Sequence, residues 1–132
     1  MTLTASCHCG ATQIELPALP TSIKSCNCTF CHRSGAVWGY YDPAEVKIIS
    51  AAHDAIYSPS GMNHHHFCSQ CGGNTHGSSP DWASTYNNDG TLKPGMAGGV
   101  PEKRTAAVNL RMIIDLDLDT VEIVKVDGRT SW

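Results

Sequence analysis

One mainly antiparallel β domain spanning residues 1–132 is the fold this chain predicts, and three observations predict it. The β-branched and aromatic residues come in short segments cut by proline and glycine. No segment carries a long apolar pattern of helical period. Seven cysteines fall in three tight groups, Cys7/Cys9, Cys26/Cys28/Cys31 and Cys68/Cys71, a spacing that reads as zinc ligation before disulfides. Metal crosslinks suit a chain this short, with charged residues at 16% against a usual share of about a quarter.

Residues 2–6 and 11–16 alternate as two strands around the first cysteine pair, and Pro17 and Pro20 end the pattern. Residues 22–28 form a third strand running into the second group, with a short helix after Cys28. Residues 36–41, rich in large apolar and aromatic side chains, make a buried strand. Segments 45–50 and 53–57 follow, then 62–67 leads into the third cysteine group. Segments 105–114 and 121–126 supply the last strands. Between them, 77–103 is rich in glycine and proline and exceeds the roughly 12–15 residues of an ordinary loop. Trp82 and Tyr86 lie in it, with a helical turn expected near Trp82. The segment is either a passive surface insertion or a flap whose aromatics close over a pocket.

Composition excludes several classes of function. The formal charge is −3, and the nine Lys and Arg are scattered without a basic stripe, which argues against nucleic acid. The N-terminal residues lack the pattern of a signal peptide, and no apolar run reaches the length of a membrane span. A reducing cytoplasm is the expected compartment, where the thiols stay available to metal.

The cysteine spacing carries the chemistry. A Cys-x-Cys on a strand puts both thiols on one face. Cys68-x-x-Cys71 with Gly72 and Gly73 is a knuckle, a tight turn holding two thiolates. Four thiolates close a structural zinc site, and three leave a position open for water or substrate. Seven cysteines are four plus three. Spacing leaves two partitions: Cys7, Cys9, Cys68 and Cys71 with the triplet Cys26, Cys28 and Cys31 open, or a ribbon-like site of Cys28, Cys31, Cys68 and Cys71.

Cys7-His8-Cys9-Gly10, then Cys26-Asn27-Cys28-Thr29-Phe30-Cys31, then His65-His66-Phe67-Cys68-Ser69-Gln70-Cys71-Gly72-Gly73, resemble in order the motifs of the glutathione-dependent formaldehyde-activating enzyme family, which includes the centromere protein V relatives. Ala107-Val108-Asn109-Leu110-Arg111 and Asp127-Gly128-Arg129 also resemble its pattern. The resemblance implies a small β-tent built around zinc, with one structural ion on Cys7, Cys9, Cys68 and Cys71. It implies a second, exchangeable ion on Cys26, Cys28 and Cys31, which are then the catalytic residues. It further implies a carbon–sulfur lyase acting on a glutathione–aldehyde adduct such as S-(hydroxymethyl)glutathione. Asn27 departs from the family, standing where histidine is common, and the 77–103 segment is longer than in compact members.

Other side chains are weighed against plainer roles. His32 is a candidate proton shuttle beside an open zinc, against a surface histidine. His66 and His76 are candidates to hydrogen-bond a ligand sulfur. Arg33 is a candidate partner for a glutathione carboxylate. His8 reads as turned away from the metal, Trp38, Tyr40 and Tyr41 as core or sheet aromatics, and 115–119 as an edge strand or turn. The rival reading is a non-enzymatic module in which both zincs are structural and the surface binds a protein. A ribbon-like nucleic-acid binder is disfavoured by the acidic balance.

Overall fold

The computed structural model of the chain describes residues 2–131. Its strands are β1 (Leu3–Ser6), β2 (Thr12–Leu16), β3 (Ile23–Cys26), β4 (Trp38–Tyr41), β5 (Lys47–Ala51), β6 (Asp54–Tyr57), β7 (His64–Cys68), β8 (Asn74–Pro80), β9 (Arg104–Asn109) and β10 (Val124–Val126). The helices are short: α1 (Thr29–Ser34), α2 (Trp82–Thr85) and α3 (Gly128–Ser131). A three-stranded sheet runs β1-β2-β5, and a seven-stranded sheet runs β10-β3-β4-β9-β8-β7-β6. Only the β10–β3 pairing is parallel among the described residues. The mainly antiparallel β expectation holds.

The core lies where the two sheets meet. Along β2, Thr12, Ile14 and Leu16 are buried while Gln13 is exposed, the period-two pattern of a strand with one wet face. Ala5, Ile14 and Leu16 pack with Ile23, Val37, Val108, Leu110 and Ile113 from the larger sheet and its connections. Leu110 is fully buried, which contributes roughly 1.5–3 kcal/mol. Both sheets deliver cysteine-bearing turns: Cys7 and Cys9 lie between β1 and β2, and Cys71 lies between β7 and β8, just after Cys68 ends β7.

Several elements depart from expectation. Cys7 to Gly10 is a turn between the two expected strands, so its Cys-x-Cys does not share one strand face. Asn74–Pro80 is a full strand, so Gly77 to Pro80 do not belong to the long connection. Its small polar sequence has little β preference, and it is a strand because β7 and β9 pair with it on both sides. The predicted 105–114 strand ends at Asn109, whose Oδ1 accepts from Arg111 N and turns 110–112 into a 3₁₀ turn. The 121–126 strand shrinks to its last three residues. Within 115–119, Asp117 accepts from Asp119 N and caps a 3₁₀ turn.

The remaining connection packs on itself. The Tyr86 hydroxyl accepts from Gly99 N at 2.9 Å and donates to Gly99 O at 3.0 Å, and Trp82 packs on Tyr86 at 5.9 Å between rings. Lys24 Nζ on β3 donates to Asn88 Oδ1, which ties the loop to the large sheet. Among the described residues no helix is long and apolar enough to cross a membrane.

Gly77 shows how tightly β7 and β8 are joined. A Cβ there would lie 2.9 Å from the His64 carbonyl oxygen, a backbone atom that cannot move aside alone. Gly77→Ala is expected to lose roughly 1–3 kcal/mol of stability through this overpacking. Denaturant titration reads it, and an unchanged midpoint with an unchanged slope would contradict the expectation.

Candidate metal centres

The first cysteine turn is closed by its own backbone. Cys7 N donates to Thr12 O at 3.1 Å, and Gly10 N donates to Cys7 O at 3.1 Å. Gly10 has φ +83°, a left-handed conformation that glycine adopts without strain. The second turn is built alike: Gly72 N donates to Cys68 O at 2.7 Å, Cys68 N to Gly73 O at 2.9 Å, and Gly72 has φ +79°. The two turns meet, and the four sulfurs of Cys7, Cys9, Cys68 and Cys71 lie within 4.8 Å of one another. Tetrahedral coordination with metal–sulfur bonds near 2.3 Å spaces sulfurs by about 3.8 Å. Cys7 Sγ to Cys9 Sγ is 3.7 Å and Cys9 Sγ to Cys68 Sγ is 3.6 Å, so the donors fit such an ion. Thr12 N points at Cys7 Sγ from 3.3 Å. The backbone amides of Cys9 and Gly73 hold the Cys71 thiol down to about 6, close to the thiolate a metal binds.

The triplet forms a second cluster, its sulfurs also within 4.8 Å of one another. Cys26 ends β3 and Cys28 is the N-cap of α1, its sulfur accepting from Cys31 N. Each sulfur of the triplet receives an N–H. Cys28 N reaches Cys26 Sγ at 3.4 Å, Cys31 N reaches Cys28 Sγ at 3.3 Å, and Trp38 Nε1 reaches Cys31 Sγ at 3.3 Å. Such donors stabilise sulfur as thiolate. Burial raises the Cys26 thiol and raises Cys31 more strongly. Burial acts the same way on Cys28, but the amides of Cys31 and Phe30 and the neighbouring thiols outweigh it, and its pKa is lowered. All three are half-buried; in the four-cysteine cluster Cys7 and Cys68 are buried, Cys71 is half-buried and Cys9 is exposed. All seven cysteines are free thiols.

The two clusters are therefore four and three. The ribbon-like partition does not occur: Cys28 and Cys31 lie with Cys26 and not with Cys68 and Cys71. Asn27 locks the triplet to the end of the chain. Its Nδ2 donates to Asp127 Oδ1 at 3.0 Å, its Oδ1 accepts from Arg129 N at 3.0 Å, and its own amide donates to Val126 O. Buried Asn109 links the surroundings of both clusters. Its side chain accepts from Val37 N and donates to Asn74 O, at the start of the strand that follows the knuckle.

A cavity of about 410 Å³ opens beside the triplet, with Cys26, Cys31 and His32 in its wall and Arg111 and Lys125 as its cationic groups. Asp127 also faces it, with its carboxylate taken up by Asn27 and Thr130. Several sequence expectations change here. His32 does line the cavity. Arg33 does not: its guanidinium folds back to Thr29 O, and it lines a separate hollow with Phe30 and Tyr57. Trp82 and Tyr86 are absent from the wall and pack on each other. His66 and His76 hydrogen-bond oxygen and not sulfur. His66 Nδ1 lies 2.8 Å from Asp54 Oδ2, and His76 Nδ1 lies 2.9 Å from Thr75 Oγ1. Burial lowers the His76 imidazole to about 4. His65 faces the opposite way from His66 and stacks on Phe30 of α1 at 3.8 Å, as strand alternation requires. His8 is exposed.

Three residues at the triplet are not legible as such in the sequence: Trp38, Arg111 and Lys125. Trp38 reads as core, and its 5% exposure agrees, but a buried indole N–H needs an acceptor and Cys31 Sγ is that acceptor. Arg111 ends a segment that resembles the family pattern, but that resemblance assigns it no role, and Lys125 carries no signal at all; both reach the triplet only through the tertiary structure.

The sequence profile of the glutathione-dependent formaldehyde-activating enzymes matches residues 2–98. The chain belongs to that family. The match contains all three cysteine groups of this family member, while the resemblances at 107–111 and 127–129 lie beyond it. The fold is similar to the crystal structure of a Rhodobacter sphaeroides protein, at 22% identity and a TM-score of 0.67, covering 94% of this chain and 100% of that one. No curated protein matches the chain.

Proposed function

We propose that this family member is a zinc-dependent carbon–sulfur lyase acting on a glutathione–aldehyde adduct, with S-(hydroxymethyl)glutathione the first candidate. The observation that carries it is the triplet: three half-buried sulfurs, each given an N–H donor, beside a cavity that bears two cations. Cys7, Cys9, Cys68 and Cys71 would hold a structural zinc, and Cys26, Cys28 and Cys31 an exchangeable one. Zinc at the triplet supplies a position that favours a bound thiol as thiolate and polarises an aldehyde oxygen.

The chain's own residues play distinct parts in this reading. Three thiolates repel the anionic sulfur and carboxylates of glutathione. Arg111 and Lys125 offset that repulsion and give the carboxylates partners. In adduct formation the thiol loses its proton, sulfur bonds to the carbonyl carbon, and the aldehyde oxygen takes up a proton. His32, in the cavity wall, takes the first proton and returns the second. Cleavage is the reverse. Thiolate ligation at every cysteine suits a reducing cytoplasm.

Exchange NMR between glutathione, formaldehyde and the adduct tests this, because it separates catalysis from the spontaneous reaction. Zinc-loaded protein should speed the exchange well above the background; a rate equal to background refutes the reading. Arg111→Gln and Lys125→Ala should each raise KM for glutathione roughly three- to tenfold with kcat little changed, the cost of about 1 kcal/mol for a partly exposed charge contact. Equal KM values in both variants would remove these cations from recognition.

A further inference from the structure

Outside the cysteine groups, the described residues bring together one more cluster of ligating side chains, formed by Asp54, His66 and His76. We infer that these three residues form a third metal site, free of thiolate, that takes a divalent transition ion of the zinc class. Three adjacent strands of the large sheet build it. His66 on β7 is the direct cross-strand partner of His76 on β8. Asp54 opens β6 opposite Cys68, while His66 pairs with Ile56, so Asp54 stands diagonally from His66. The three donor atoms lie within 4.8 Å of one another.

An ordinary acid–histidine hydrogen bond accounts for only part of this arrangement. Asp54 Oδ2 and His66 Nδ1, 2.8 Å apart, satisfy each other without His76. Yet the His76 ring also lies against the His66 ring, 4.2 Å between centres, and one of its nitrogens comes within 4.8 Å of the other two donors, so a third ligating atom stands beside the pair. Its orientation is also set. Thr75 Oγ1 gives its proton to His66 O at 3.4 Å and accepts from His76 Nδ1 at 2.9 Å. With His76 Nδ1 as the donor to Thr75, Nε2 would carry the lone pair for an ion, and an outer hydrogen bond of this kind is what orients a ligating imidazole.

The donor set decides the class of ion. Two imidazoles and one carboxylate suit zinc, iron(II) or cobalt(II) and are poor ligands for calcium or magnesium. With a divalent ion the site carries a net charge of about +1, against about −1 for a thiolate triplet, so the ion stays a stronger Lewis acid. His66 and Asp54 side chains are 19% and 24% exposed, which leaves room for water or a small anion on the ion's outer side. The site is independent of the proposed lyase activity: none of its residues lines the cavity beside the triplet.

Cobalt(II) loading followed by native mass spectrometry tests the inference. Thiolate-bound cobalt gives intense charge-transfer absorption, which counts the cysteine sites separately. The full chain should bind one ion beyond those the thiolate band counts, and that ion should be lost in Asp54→Asn and in His76→Ala while the thiolate band persists. The persisting band shows that the variant has folded. If His76→Ala loses the band, Asp54→Asn at the strand's exposed start carries the same comparison. In the unaltered protein, the extra equivalent of zinc should shift the imidazole nitrogen signals of His66 and His76 and leave those of His65 in place. An extra ion retained by the folded variants, or no extra ion and no imidazole shift, overturns the inference.

Discussion

Cys68→Ser is expected to unfold the protein at ordinary temperatures. Cys68 is fully buried, and its sulfur sits 3.6 Å from that of Cys9. Their two turns belong to different sheets, one between β1 and β2, the other between β7 and β8. An ion held by Cys7, Cys9, Cys68 and Cys71 therefore staples the sheets across the core, and closes a chain loop of some sixty residues. Structural zinc supplies about 10–16 kcal/mol of apparent binding free energy in small zinc peptides, against a net domain stability of about 5–15 kcal/mol. Losing even half of that binding consumes most of the stability. Serine also leaves a hydroxyl in a buried place shaped for sulfur. Circular dichroism with a zinc count checks this: the variant should lose both its cooperative transition and its structural ion. A melting temperature within a few degrees of the parent would show that the four-cysteine site does not hold the fold together.

Cys28→Ser should behave in the opposite way. The proposed lyase activity is expected to fall at least a hundredfold and the ion proposed for the triplet to be lost, while the melting temperature drops by only a few degrees, roughly 1 kcal/mol or less. Two features of the structure keep the stability cost small. The triplet spans only residues 26 to 31, so freeing it releases a short loop. Cys28 is also the N-cap of α1, accepting from Cys31 N, and serine is among the residues that cap best. The helix start thus survives the loss of the sulfur. Parallel melts, zinc counts and exchange rates on Cys28→Ser and Cys68→Ser decide the matter. If Cys28→Ser unfolds as Cys68→Ser does, the second ion is structural, and the non-enzymatic module becomes the better reading.

Much of the fold is legible because period-two burial is written into single strands. Thr12 to Leu16 alternates in sequence and alternates in burial. The departures share a cause, which is that local composition does not decide them. Asn74–Pro80 has no β-forming composition and is a strand because two neighbours complete its hydrogen bonds. Cys-x-Cys suits a strand and a turn alike, and only Gly10 at φ +83° marks the turn at Cys7.

The sequence by itself determined that this is a small β protein with seven thiols at ligand spacing in groups of two, three and two, because short-range spacing within one turn sets which sulfurs can chelate together. Spacing could not say which groups combine. Pairing Cys7 and Cys9 with a knuckle some sixty residues away depends on two sheets meeting at a core. The same is true of Trp38 on Cys31 Sγ, of Arg111 and Lys125 at the cavity, and of Asp54, His66 and His76 across three strands. Each of these contacts joins residues that strand order, and not sequence proximity, brings within a few ångströms; the motif resemblance implied the cysteine pairing, but the contacts of Trp38, Arg111, Lys125 and Asp54 with their partners were decided by the tertiary structure alone.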